Sequence, residues 1–253
     1  METSIAMARL AVADGTTHLA CTPHIYPGVY ANSTATIAPA LQTLQAELDA
    51  LDIPLTLVMG ADVHMVPEVM EGLKKGRIPT LHGSRYFLLE PSHHVPVPHF
   101  LAQIENFLNA GYVPILTHPE RLRWLDEHYD DFIQAARIGA WLQITAGAIT
   151  GNFGPSAKKR TERLLSDGVV HIIASDAHSI DHRPPIMSGG VTEAIRLLRD
   201  EAEVIRMVKE RPQAILDNAE PDLLPAPLGL GYSLPILLAG KFTKKSWFNR
   251  LFN

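Results

Sequence analysis

The sequence predicts an α/β fold, a parallel sheet with crossover helices closed into a β/α barrel. An open doubly wound sheet is the second arrangement. Three observations lead there. Short apolar runs recur along the chain and end at once in polar or turn residues, as strands buried on both faces do. Helical patterns fill the intervals between the runs. Six such units fall within 253 residues of 46% hydrophobic content, enough for one domain with a full core.

The chain opens on a helical pattern, METSIAMARLAVADG, and not on the strand with which a β/α barrel normally begins. The first run is HLACTPH (18–24), broken by the turn-making Pro23. A helix follows in 34–51, where Ile37, Leu41, Leu44 and Leu48 recur at three- and four-residue spacing. The next runs are LTLVMGAD (55–62) and YFLLEP (86–91). A helix over 97–111 stops at Gly111, and the run VPILTHPE (113–120) succeeds it. AWLQITAG (140–147) is followed by a helix that starts at Pro155 and Ser156 and stops at Gly168. VVHIIASDAH (169–178) is the last run. The domain is expected to span 1–220. A Pro/Gly-rich linker and a basic–aromatic tail occupy 221–253.

The residues just past each run carry the chemistry. They are His24, Asp62 with His64, Glu90, His118 with Glu120, and Asp176 with His178; only AWLQIT lacks one. In a parallel barrel the carboxyl ends of all strands open on one face, so ligands scattered along the chain converge there. Imidazoles and carboxylates without thiolate suit Mn²⁺, Fe²⁺ or Zn²⁺. Several carboxylates close together call for more than one ion. Arg121, in THPER, and Arg183, in ASDAHSIDHRPP, follow ligand motifs and suit an oxyanion such as phosphate. Cys21 lies inside an apolar run, where a thiol is usually inert, and no arginine stands six positions on as in cysteine phosphatases.

Composition narrows the classes further. A net charge of −5 argues against a nucleic-acid surface, and a single cysteine suits a reducing compartment. No signal peptide is evident, and no run reaches the about 18 apolar residues of a membrane span.

TPH, GAD, LLE, THPER and ASDAH…RPP, in this order, resemble the PHP (polymerase and histidinol phosphatase) superfamily. The similarity runs from residue 1 to about 218 and is most specific in RIPTLHGSRYFLLE and IASDAHSIDHRPP. Within it the chain is most similar to the bacterial manganese-dependent protein-tyrosine phosphatases of capsule and exopolysaccharide clusters. The resemblance implies a distorted (β/α)7 barrel around a trinuclear metal cluster. It implies metal ligation by His24, Asp62, Glu90, His118, Asp176 and His178, and phosphoryl binding by Arg121 and Arg183. Asp62 stands where the family usually has Glu. His178 is also a candidate proton donor, a role that one nitrogen cannot combine with ligation. The implied substrate is the phosphotyrosine tail of a membrane-associated tyrosine kinase that controls polysaccharide chain length. The implied place is the cytoplasm, at the inner face of the membrane. An oligomer is compatible with this reading.

The family opens with a strand ending in His-x-His and a loop bearing an aspartate, and this sequence starts at the helix beyond them. The expectation is therefore a barrel without its first strand, through a misassigned start codon or a truncated chain. A degenerate, non-catalytic binding protein and a histidinol-phosphatase-like enzyme are the alternatives. The tail 241–253 mixes Lys241, Lys244, Lys245 and Arg250 with Trp247, Phe248 and Phe252, as a peripheral membrane contact would.

Overall fold

A computed structural model describes residues 1–231; the tail expected to touch a membrane lies outside the described residues. Among the described residues eight short strands form, all paired in parallel. They are β1 (His18–Cys21), β2 (His24–Ile25), β3 (Thr56–Met59), β4 (Asp62–His64), β5 (Tyr86–Glu90), β6 (Val113–Thr117), β7 (Trp141–Thr145) and β8 (Ile172–Ala174). β1 pairs with β3, and the other six make one sheet in the order β2-β4-β5-β6-β7-β8.

The first two apolar runs thus each split in two. Pro23 has no N–H to donate, so pairing lapses where the first run turns. Opposite the preceding Thr22 stands Gly60, where a Cβ would meet Leu81 Cδ2 at 2.6 Å. The seam is still bonded, because Gly60 N–H donates to Cys21 O and Asp62 N–H to Pro23 O. Two bent strands, 18–25 and 56–64, therefore stand where the sequence predicts two runs. Strand order follows chain order, as in a barrel wall. Among the described residues no ladder joins β8 back to β2.

Crossover helices cover one face of the wall. The expected helices appear as Thr34–Ala50, Phe100–Asn109 and Pro155–Ser166, and the opening pattern as Glu2–Ala13. Val63, Phe87, Leu89, Leu116, Leu142 and Ile144 pack against helical Phe100, Ile104, Phe132 and Leu164. Glu2–Ala13 and Thr34–Ala50 share a smaller cluster that includes Ala8, Ala11, Leu48 and Leu57. Asp14, at the end of the opening helix, accepts from the N–H groups of Met187 and Ser188, at the free N-terminus of the helix Ser188–Leu198.

The described part of the stretch after 220 is mostly exposed, with Leu223 and Leu228 in solvent, and is held to the wall at a few points. Leu230 is buried and Gly229 N–H donates to Gly168 O. The buried Arg211 guanidinium donates to Pro225 O, to His171 O and to Glu203, so it ties this segment to the edge of the wall.

His171, beside that guanidinium, is stacked on Trp141 at 5.3 Å and accepts from Leu142 N–H through Nδ1. Burial, then the Arg211 charge, hold its pKa well below the ordinary imidazole value. The unfolded chain takes a proton on this ring near pH 6.5 and the folded chain does not. Its contribution to stability is therefore full above about pH 6.5 and is lost as pH falls from there through the depressed folded pKa. His171→Asn keeps an acceptor and does not titrate. Urea midpoints measured between pH 7.5 and 5 should fall less steeply in the variant than in the wild type.

Candidate metal centre and oxyanion site

Alternation along the strands builds an inner face that changes character along its length. Tyr86, Leu88, Val113 and Ile115 join Trp141 and Ile172 in an apolar cluster on this face. Two residues further along the same strands stand Glu90 and Thr117. Parallel pairing sets Asp62 beside His24 and beside Leu88, and His64 beside Glu90. The carboxyl end of the inner face is thus polar, while its other end is packed with hydrocarbon.

His118 follows Thr117, so a continued strand would aim it at the helices. Its φ of 35° ends the strand in the left-handed region and turns the ring inward. Such a conformation costs on the order of 1–3 kcal/mol and persists only where its surroundings hold it. His118 is buried, with Nε2 3.5 Å from Glu90 Oε1 and 3.6 Å from Asp62 Oδ2. His24 Nδ1 is 3.4 Å from Glu90 Oε2 and 3.7 Å from Asp62 Oδ2, and it is buried without a hydrogen-bond partner.

These separations are long for hydrogen bonds. They suit a cation between the groups. Two ligand atoms each about 2.1 Å from one ion lie about 3.0 Å apart at a right angle and about 3.4 Å apart at a tetrahedral angle. Two triads meet the condition of mutual reach, His24–Asp62–Glu90 and Glu90–His93–His118. Glu90 belongs to both and turns a different oxygen to each: Oε2 to His24, Oε1 to His93 and His118.

The electrostatics also fit a cation. Burial, then the neighbouring Glu90 carboxylate, raise the Asp62 pKa to about 7. Burial opposes ionisation of Glu90 as well, but hydrogen bonds from His64 and His93 outweigh it and hold its pKa below the usual range. Burial and then Arg121 push His118 down to about 3, so its ring is neutral at pH 7, as a ligand must be. Thr117 Oγ1 donates to Asp62 Oδ1 at 3.2 Å and fixes that carboxylate.

Asp176 and His178, predicted as ligands, belong to neither triad. Asp176 Oδ2 accepts from both predicted arginines, from Arg121 Nη1 at 2.6 Å and from Arg183 Nη2. Phe153 lies under both guanidiniums, 4.9 and 5.4 Å from ring centroid to carbon. A Cβ on Gly147 would come within 3.0 Å of that ring. His178 is half-exposed, and Nδ1 must carry the proton because it bonds the Asp176 carbonyl at 3.0 Å. Its Nε2 is therefore the ring's free lone pair, and its ring stands 6.1 Å from that of His24. Glu120 is fully buried; Oε1 accepts from Thr145 N–H, Oε2 has no partner, and burial raises its pKa to about 7. It lines a cavity of about 360 Å³ together with His93, Arg121, Arg123, Phe153 and Arg160. Cys21 stands apart in β1, its thiol pKa raised by burial.

The sequence reading overlooked His93 and Phe153. Neither ends an apolar run: His93 is three residues beyond Glu90, and Phe153 lies in a turn before a helix.

A family model for capsular polysaccharide synthesis, CpsB/CapC, matches residues 1–217. The chain belongs to the CpsB/CapC family. This agrees with the resemblance read from its motifs. The chain is similar to the tyrosine-protein phosphatase YwqE of Bacillus subtilis (strain 168), 34% identical over 219 residues, 85% of this chain and 84% of the relative. It is 29% identical over 192 residues to the tyrosine-protein phosphatase CpsB of Streptococcus pneumoniae, 74% of this chain and 79% of the relative. A crystal structure from a study of these two proteins, described as unique metal-dependent tyrosine phosphatases, superposes with a TM-score of 0.81 at 29% identity. The superposition covers 90% of this chain and 92% of the other. Among the described residues of this CpsB/CapC chain, no helix is long and apolar enough to cross a membrane.

Thr117→Val removes the donor that holds Asp62 and keeps the side chain's shape. The variant should fold and bind divalent ions about 10- to 100-fold more weakly, as loss of a partner behind a ligand does. Calorimetric titration with Mn²⁺ checks this.

Proposed function

We propose that this chain is a metal-dependent protein-tyrosine phosphatase, with His24, Asp62, Glu90 and His118 as metal ligands and Arg121 and Arg183 as the phosphoryl grip. The observation that carries the reading is the meeting of two arginines on one carboxylate oxygen beside a carboxylate–imidazole cluster at cation-binding spacing. The named activities of the similar proteins, tyrosine-protein phosphatases, support it.

When bound, divalent ions supply Lewis acidity at the phosphoryl oxygens and lower the pKa of water near them. Imidazole and carboxylate donors suit Mn²⁺, with Fe²⁺ or Zn²⁺ as the other candidates. The side chains do the rest. Asp176 Oδ2 occupies the position where a phosphoryl oxygen would receive the same two guanidiniums. Such charge-assisted bonds strengthen as negative charge builds on the transferring group. Phe153 keeps the guanidinium planes from turning away. His178, with Nε2 free, serves as a ligand for an ion near His24 or as a proton carrier. The phenolate of tyrosine, with a pKa of about 10, leaves with modest help.

The partner in this reading is the phosphotyrosine tail of a membrane-associated kinase in capsule or exopolysaccharide synthesis. That places the enzyme in the cytoplasm, near the inner face of the membrane.

The test is hydrolysis of a phosphotyrosyl peptide, with histidinol phosphate as the competing substrate. EDTA should abolish peptide turnover, and the ion that restores it identifies the metal. Arg183→Ala should lower kcat/KM by about 10- to 150-fold, the roughly 1.5–3 kcal/mol of a lost charge-assisted bond. Cys21→Ser should leave turnover nearly intact. Loss of activity in the Cys21 variant with ions still bound would overturn the mechanism, and preference for histidinol phosphate would overturn the substrate.

A further inference from the structure

One carboxylate and one imidazole hold a divalent ion poorly, and the loop after β5 brings a second imidazole to Glu90 and His118. We propose that His93 is a metal ligand, completing with Glu90 Oε1 and His118 Nε2 a three-residue site for a divalent cation of the Mn²⁺, Fe²⁺, Co²⁺ or Zn²⁺ class. The assignment rests on the metal-dependent reading above and adds a ligand that the motifs do not contain.

Geometry carries it. His93 Nε2 lies 3.0 Å and His118 Nε2 3.5 Å from Glu90 Oε1. Those are the right-angle and tetrahedral ligand spacings, to about 0.1 Å. The two imidazoles face one another without stacking, their centroids 5.1 Å apart and their planes at 43°. Ligand atoms of all three residues lie within 4.8 Å of one another.

The loop is held for this purpose. Trp124 Nε1 donates to Ser92 O at 2.7 Å, and Arg123 N–H donates to His93 O at 3.1 Å. Both anchors come from the segment that follows His118, so the two imidazoles are placed by one piece of structure. Backbone anchoring on both sides of the ligand lowers the entropy lost on binding an ion.

His64 shows what a supporting imidazole looks like here. Its Nδ1 is 2.8 Å from Glu90 Oε2, shorter than a ligand spacing, and its ring is stacked on Tyr26 at 4.1 Å. It is built to donate a hydrogen bond to the carboxylate. His93 has no such stacking partner among the described residues and stands at a distance that ligation also satisfies. The Oε1 site is separate from the Oε2 site of His24 and Asp62, so the sites can be lost one at a time.

The experiment is titration of the purified full chain with Co²⁺, read by its visible absorption and by calorimetry. His93→Ala, His93→Gln and the remote His18→Ala are compared, each first shown to unfold cooperatively. Glutamine can still donate to Glu90 Oε1 but offers no imidazole lone pair. Expected is loss of one equivalent of Co²⁺, by more than the roughly 10- to 100-fold that an outer partner costs, in both His93 variants. The visible spectrum should lose intensity or shift, and His18→Ala should match the wild type. Wild-type affinity and spectrum in His93→Gln would overturn the proposal, because His93 would then be a hydrogen-bond donor only. Absence of Co²⁺ binding in the wild type would overturn it too. A His93-dependent spectrum in a chain that does not hydrolyse the phosphotyrosyl peptide would support the site and refute the phosphatase reading instead.

Discussion

Two carboxylates, Asp62 and Glu90, are buried at the ends of neighbouring parallel strands, each about 5% exposed. Anions in a low-dielectric interior are costly unless a positive charge stands between or beside them. Only part of that charge comes from the chain, because His118 is kept neutral by its own burial. The inner face of the wall, the turn at His118, the hydroxyl of Thr117 and the imidazoles of His64 and His93 all converge on these two groups. A cation between them would offset their repulsion, which the ion-free form carries. The residues that would favour the ion-free fold, smaller or apolar side chains at 62 and 90, are the ones this chain does not use.

Beside that negative centre lies a positive one. Arg121 and Arg183 would repel each other, yet Asp176 and the face of Phe153 hold them together. A cation–π contact contributes about 0.5–2 kcal/mol. A change of partner at the N–H groups need not break it, because the ring lies against the guanidinium faces. The neighbouring cavity is lined by Arg123 and by Arg160, whose charge is paired with Asp126.

Much of the site was legible because parallel strands obey one rule. Every strand ends on the same side, so a residue after an apolar run is near the residues after the others. His24, Asp62, Glu90 and His118 follow from that rule alone, and their contacts span up to 66 positions of sequence, from His24 to Glu90. The rule says nothing about the loops beyond. Asp176 and His178 follow β8 by two and four residues, and Asp176 is bonded to the two arginines. His93 is invisible to periodicity, since a histidine three residues past a strand end points wherever its loop is tied.

The sequence by itself determined the order of strands and helices, because buried runs and amphipathic patterns are local consequences of which residues must leave water. It also determined which residue types could meet at the strand ends. Only the tertiary structure decided how the first two runs divide at Pro23 and Gly60, since that depends on Leu81 packing from elsewhere in the chain. It also decided that Glu90 faces two groups with two oxygens, that Phe153 lies under both arginines, and that the segment after 220 is tied down by Arg211. Each of these is a matter of one or two ångströms between groups distant in sequence. Such distances are set by the packing of the whole wall and leave no mark in a run of residues.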